Sequence, residues 1–379
     1  MGTPEWSIPS LETILDLGIE ISAVFTQPNR RIGRRRELTP SPIKIYAEKN
    51  NLKVFAPEKI SSEENIDIVN SLKPELIIVC AYGQILSESF LKTPKVGCFN
   101  LHFSFLPKLR GASPVQTAIS SGFLKTGVCI QKMICRLDAG PIVASSMPLD
   151  IKPNETSPRL GERLAEAGGR LLREILPDLL SKNFKVVEQN ENEATYCKSI
   201  KKGEGHICWK KENALQIERK LRAFEPWPGI FSFFCSARSS GVLRRLQITK
   251  MKVVKGNFEP GRIYPEFIVG SISDGLKILR LKPEGKKEMD SQSFLIGHPE
   301  LMVWSYTSGY VNQYMEDYEW SYDEASTRKA NVYLTQTPIA EGSSGGPLLN
   351  DFGNLIGINT FGDSEYQFHN FAITVEEIL

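Results

Sequence analysis

The spacing of apolar and polar positions changes period several times along the 379 residues. Apolar residues recur at helical spacing from Ile8 to Leu17, and a β-rich stretch follows, Ile19 to Pro28. Beyond a basic loop come a helix from Pro42 to about Asn50, a short strand at Lys53–Pro57, and a helix over about Glu63 to Leu72. Three runs rich in Val, Ile and Cys read as strands: Glu75–Gly83, Val96–Ser104 and Thr126–Ile134. A long amphipathic helix, about Ser157 to Ser181, closes this region. Strands alternating with helices predict an α/β domain with a parallel sheet over residues 1–182. Its opening is unusual, because Gly2-Thr3-Pro4 reads as a strand-to-helix turn with no strand in front of it.

Residues 183–205 are polar and lysine-rich and read as a linker. From 206 to 299 a helix near Asn213–Phe224 precedes short strands separated by Gly and Pro, which suggests a small β-barrel. The pattern changes again over 300–379, and composition sharpens that boundary. Residues 301–379 hold two basic and eleven acidic side chains, whereas residues 1–300 carry a net charge of +11. A basic body facing an acidic tail suggests a polyanionic partner for the body, such as nucleic acid. All seven cysteines fall before residue 236 and form no CxxC pair, as expected of buried thiols in a reducing compartment. No apolar run is long enough to span a membrane and no secretory leader is visible, so a cytoplasmic protein is expected. Glycine patterns for dinucleotides or phosphate loops are absent, as is His/Cys spacing for zinc.

The densest polar cluster is Phe99–Pro114, "FNLHFSFLPKLRGASP". Asn100 and His102 lie two apart on a strand, so both side chains leave one face. Such a pair can offer an amide donor to an oxyanion and an imidazole that titrates near neutrality. Asp138, in "RLDAGPIV", follows another strand and could orient the imidazole. The bland alternative, an Asn and a His bonded to nearby loops, stands beside this reading.

Asn100-x-His102, Ser104-Phe105-Leu106-Pro107 and Leu137-Asp138-x-Gly140 resemble the signature of the folate-dependent formyltransferases, most closely the methionyl-tRNA formyltransferases. "MGTPEWSIPSLETIL", "FTQPNRRIGRRRELTPSPIK", "AYGQIL", "RGASPVQTAI", "TGVCIQKM", "RAFEPWPG" and "LKPEGKKEM" match in order and spacing, from Met1 to about Pro299. The resemblance implies a Rossmann-like catalytic domain followed by an OB-like tRNA-binding domain. It implies that the amino group of methionine on initiator tRNA attacks the formyl carbon of 10-formyltetrahydrofolate, with no metal. Asn100 would donate to the oxyanion, His102 would move protons, and Asp138 would hold His102. Tyr82, Ile85, Ser104, Leu106 and Pro107 would border the folate, although a core role is equally open for Tyr82 and Ile85. Arg30, Arg31, Arg34, Arg35 and Arg36 would enter the acceptor end of the tRNA; a solvated charge run is the plain alternative. A monomer is expected. An amino sugar nucleotide is the nearest alternative acceptor, and an inactive fusion or interaction protein is the reading from another class.

Two departures from the pattern stand out. Phe103 and Phe105 replace smaller or aliphatic residues and could narrow the site. The strand expected ahead of Gly2 is missing, so a natural start upstream of Met1 is expected.

Residues from about Ile296 resemble the second barrel of trypsin-like serine proteases. In "GSSGGPLLN", Gly342–Asn350, Ser344 matches the nucleophile position. The His and Asp that would activate it belong to a first barrel with no counterpart here, so no proteolysis is expected. The two resemblances meet near Ile296–Leu301.

Overall fold

The computed structural model describes residues 1–32, 37–235, 243–296, 311–323, 326–335, 347–349, 355–362 and 370–374. They form two compact units, one of Met1–His206 with Gln216–Ile230 and one of Ile207–Leu215 with Phe231–Leu379.

The first unit runs α1 (Ile8–Asp16), β1 (Val24–Phe25), β2 (Arg30–Ile32), β3 (Glu37–Thr39), α2 (Pro42–Lys49), β4 (Val54–Phe55), α3 (Glu63–Leu72), β5 (Leu76–Cys80) and α4 (Glu88–Leu91). It continues with β6 (Gly97–His102), β7 (Arg110–Gly111), α5 (Pro114–Ser120), β8 (Lys125–Thr126), β9 (Cys129–Lys132), β10 (Ile142–Ser145), β11 (Leu149–Asp150), α6 (Ser157–Ser181) and β12 (Tyr196–Cys197). Local chemistry explains several boundaries. Ser41 caps α2 by accepting from the Lys44 N–H, with Pro42 at the first helical position. The helix α6 spans the residues its apolar period indicated, and its inner face carries Leu160, Leu164, Leu172 and Leu176, all buried.

The sheet is mixed rather than parallel throughout. Its order is β10-β9-β6-β5; β5 and β6 run parallel, but β9 is antiparallel to both β6 and β10. Alternation within a strand cannot reveal its direction, which depends on the connection that returns the chain.

A separate parallel pair, β1 with β4, lies beyond β5. The first two residues join it to the sheet. The Gly2 N–H donates to the Phe25 carbonyl, the Met1 amine to the Ile78 carbonyl, and the Cys80 N–H to the Met1 carbonyl. Beside Met1, between β1 and β5, lies a slot of about 460 Å³, lined by Ala23, Phe25, Val69, Ile77 and Leu176 among others. By alternation, Ile78 and Phe25 turn their N–H groups and Leu76 its C=O into this slot, and no strand lies opposite them among the described residues. Among the described residues this slot is bridged at one end, by the backbone of Met1 and Gly2.

Residues 183–205, whose polarity suggested a linker, form a strap along the first unit. Val187 pairs with Ile142, and Tyr196–Cys197 pair in parallel with Arg110–Gly111. The Ser113 hydroxyl donates to the Lys198 carbonyl at 2.5 Å.

The second unit contains α7 (Ala214–Ala223) in part, then β13 (Ile230–Cys235), β14 (Leu243–Val254), β15 (Ile263–Tyr264), β16 (Ile268–Gly270), β17 (Gly275–Pro283), β18 (Met289–Asp290) and α8 (Ser291–Ile296). These strands form a sheet of order β13-β14-β17-β16-β15, with β18 also on β17. A second sheet follows, β19 (Val311–Asp323), β20 (Ser326–Thr335), β21 (Pro347–Leu349), β22 (Leu355–Gly362) and β23 (Asn370–Thr374), in the order β19-β20-β23-β22-β21. Tyr314 lies against Tyr333 and Tyr318 against Phe371.

Candidate functional site

Strand β6 sorts its side chains by alternation. Leu101 and Phe103 approach Gly168 of α6, where a Cβ would lie 3.2 Å from Leu101 and 3.8 Å from Phe103. Asn100 and His102 consequently take the opposite face. The Phe103 ring lies 6.1 Å from that of Trp6, on the α6 side, so its bulk is absorbed in the core rather than in the site. Phe105 packs over Gly127, where any Cβ would fall 2.2 Å from the ring.

The structure brings Asn100, His102 and Asp138 together. The Asn100 amide is 3.4 Å from Asp138 Oδ1, and His102 Nδ1 is 3.7 Å from Oδ2. His102 Nε2 lies 2.8 Å from the Leu109 carbonyl. A carbonyl only accepts, so Nε2 carries the proton and Nδ1 is the basic nitrogen of the neutral ring. That nitrogen faces a carboxylate at a distance too long for a direct hydrogen bond. A proton arriving at Nδ1 would create an imidazolium next to Asp138, and with both side chains buried the opposite charges attract strongly.

Asp138 is fixed from several sides. Oδ1 accepts from the Gln131 amide at 2.8 Å, and Oδ2 from the Gly111 N–H at 2.8 Å. Its backbone is left-handed, φ +47°, a conformation that carries a cost unless its surroundings impose it. Gly140 completes the turn, since a Cβ there would lie 1.8 Å from the Lys132 carbonyl oxygen. Beside it, fully buried Arg110 bonds Gln189 Oε1 through Nε and Nη2, and grips Glu191. The Arg110 hydrogen bonds, aided by Arg136, pull the Glu191 carboxyl down to about 2.

Sequence reasoning missed Gln131, Gln189 and the Gly111 N–H. Gln131 had a signal, a polar residue within the apolar run "VCIQKM", and it pairs directly across from Asn100 in the sheet. Gln189 had none, since it sits in a uniformly polar segment.

The other candidates are dispersed. Ser104, Leu106 and Pro107 line a cavity of about 280 Å³ with Lys108, Phe123 and Lys125. The Ser104 hydroxyl closes this loop on the Lys108 carbonyl at 2.6 Å. Tyr82 is buried in a core cluster with Phe25, Ile60 and Phe90, and its hydroxyl finds no partner among the described residues; burial pushes that phenol above its ordinary range. Ile85 is 88% exposed. The slot of about 460 Å³ beside Met1 is lined by none of Asn100, His102 and Asp138. Arg30 and Arg31 stand on the hairpin of β2 and β3, where Arg30 bonds Gln27. Arg34, Arg35, Arg36 and Ser344 lie outside the described residues, as do His298 and His369. Among the described residues no cluster of three or more His, Cys, Asp or Glu could hold a metal ion, and no helix is long and apolar enough to cross a membrane.

The formyl transferase family matches residues 8–176, and the formyl transferase C-terminal domain matches residues 199–299. A trypsin-like peptidase domain matches residues 252–358, so both of the last two claim 252–299. Strands β15 to β18 of that shared stretch belong to one sheet with β13 and β14, which begin before it. The overlap is wider than the short join at Ile296–Leu301 that the sequence indicated. The chain is 37% identical over 302 residues to a methionyl-tRNA formyltransferase of Bacillus velezensis, covering 78% of this chain and 93% of that protein. It is 36% identical over 307 residues to that of Macrococcus caseolyticus, covering 80% and 96%. Among solved structures, an N-formyltransferase from Helicobacter canadensis in complex with folinic acid and dTDP-3-aminofucose superposes with TM-score 0.54 at 20% identity, covering 73% and 96%. A sugar 3N-formyl transferase with dTDP and 5-N-formyl-THF gives 0.53 at 19%, covering 76% and 97%.

Proposed function

The chain belongs to the family of the methionyl-tRNA formyltransferases, and from this premise we propose that Asn100, His102 and Asp138 carry its chemistry. It is a formyl-transfer enzyme that moves the formyl group of 10-formyltetrahydrofolate to the amino group of methionine on initiator tRNA. A new C–N bond forms to the formyl carbon and the bond to the folate N10 breaks. The attacking amine loses one proton and the leaving nitrogen gains one. His102 Nδ1 takes that proton while Asp138 stabilises the imidazolium, and the ring then returns it to N10. The Asn100 amide stabilises the tetrahedral oxyanion. The observation that carries this reading is the convergence of an amide, an imidazole of fixed tautomer and a multiply bonded carboxylate.

The loop Ser104–Pro107 borders the folate in this reading, and the 280 Å³ cavity beside it supports a ligand there. Tyr82 belongs to the core cluster of Phe25 and Phe90, and exposed Ile85 stays a candidate for the folate border. Arg30, Arg31, Arg34, Arg35 and Arg36 bind the tRNA acceptor end. The catalytic domain occupies 1–182, the strap 183–205, an OB-like tRNA-binding domain 206–299 and an inactive trypsin-like half-barrel 300–379. The enzyme works in the cytoplasm as a monomer.

A formyl-transfer assay with methionyl-tRNA and an amino sugar nucleotide as rival acceptors tests the substrate. Turnover of the tRNA alone is expected, and turnover of the sugar alone would overturn the reading. The sugar N-formyltransferases share the fold at only 19–20% identity, against 36–37% for the tRNA enzymes. Affinity for tRNA is expected to fall on the order of 10²-fold between 50 and 200 mM salt if about five arginines displace counterions. Filter binding across that range reads the slope, and a flat response would remove the arginine loop from the interface.

A further inference from the structure

Asp138 carries a left-handed backbone between two elements, and its hold on His102 depends on keeping that turn. The turn is gripped from outside the catalytic cluster. Gln189 Nε2 donates to the Asp138 carbonyl at 2.9 Å and to the Gly140 carbonyl at 2.6 Å. The direction of this amide is not free. Arg110, which has only donors, bonds Gln189 Oε1 from Nε at 3.0 Å and Nη2 at 2.9 Å. The carboxamide oxygen must therefore face Arg110 and its NH₂ must face the turn. Arg110 is held in turn by both oxygens of Glu191, and Arg136 braces Glu191 from the other side. The chain Glu191–Arg110–Gln189–Asp138 runs from a half-exposed strap residue to the carboxylate-bearing residue of the site, with each donor facing an acceptor.

We propose that Gln189, oriented by Arg110, is a positioning residue for formyl transfer. It fixes the Asp138–Gly140 turn and so the carboxylate opposite His102 Nδ1. The inference rests on the assignment of His102 and Asp138 above. Its consequence is that the strap at 183–205 belongs to the active site and does not merely join two domains. A displaced carboxylate leaves substrate binding intact and penalises only the step in which His102 becomes charged, so the loss falls on kcat.

Gln189→Glu gives the sharpest test. It keeps an acceptor for Arg110, nearly the same shape, and no donor for the two carbonyls. We expect kcat to fall about 10- to 100-fold with KM for both substrates within twofold, an effect of the size geometric misplacement produces. A milder variant, Glu191→Ala, loosens Arg110 from its exposed side; a kcat loss of about three- to tenfold at unchanged KM is expected. In an Asp138→Asn background Gln189→Glu should cost little more, because both act through one carboxylate. Unchanged kcat in both Gln189→Glu and Glu191→Ala would overturn the proposal, as would full additivity with Asp138→Asn. If Gln189→Glu fails to fold, Glu191→Ala with its double mutant decides alone. Full activity of His102→Ala and Asp138→Asn would instead sink the site assignment, a result distinct from either.

Discussion

Replacing His102 with alanine is expected to lower the rate of formyl transfer about 10³-fold without unfolding the protein. The imidazole is buried, but it lies on the site face of β6, away from the α6 packing that holds Leu101 and Phe103. General acid–base groups contribute about 10² to 10⁴ in rate, and in the proposed mechanism His102 both accepts and returns a proton. Asn100→Ala should cost about 10²-fold, the usual loss on removing one oxyanion donor. Both losses should appear in kcat, with KM for tRNA nearly unchanged, since the arginine hairpin is remote in sequence. Single-turnover assays with excess enzyme separate chemistry from binding. A His102→Ala protein that retains full rate would show that Nδ1 is not the base, and would restore the bland reading of an Asn and a His bonded to nearby loops.

The second large effect concerns the slot beside Met1. An apolar extension of about five β-branched residues ahead of Met1 is expected to raise the melting temperature by roughly 10 °C. Such a strand would gain about 5 kcal/mol from new backbone hydrogen bonds and about 5 kcal/mol from two or three buried side chains. Ordering it costs about 7 kcal/mol. A further gain comes from the Met1 amine, whose burial lowers it from 8.0 to about 6. Between those values the unfolded chain holds the proton that the folded chain has released, so stability rises with pH. The chain beginning at Met1 should therefore lose about 2 to 3 kcal/mol as the pH falls from 8 to 6, and little more from this group below that. Joining a residue to Met1 converts the amine to an amide and abolishes that dependence. Denaturant melts of both chains at pH 6 and pH 8 read all of this. An extension that leaves stability unchanged, or a short chain equally stable at both pH values, would show that the slot closes by another route.

How much of this was legible beforehand differs from element to element. The helix over Ser157–Ser181 was visible because its leucines repeat at the helical period and stay on one face throughout. The strand Gly97–His102 was visible from the alternation of Cys98, Asn100 and His102 with Phe99 and Leu101, and the two-residue step from Asn100 to His102 fixed their common face. Antiparallel placement of β9 was invisible, because alternation is the same in either direction. Tyr82 read equally as pocket or core, since one tyrosine in an apolar run has no periodic context; only packing against Phe25 and Phe90 places it.

By itself the sequence determined the main helices and strands of residues 1–182, the face shared by Asn100 and His102, the basic loop and the charge break near residue 300. These are consequences of neighbours within a few positions, which spacing reports directly. Only the tertiary structure decided which nitrogen of His102 carries the proton of the neutral ring, because the Leu109 carbonyl faces Nε2 from a loop. It alone set Gln189 against a residue 51 positions away, and opened the slot between two strands that never meet in sequence. Those outcomes depend on hydrogen-bond partners chosen in three dimensions, and a residue's type does not record which partner the fold will bring to it.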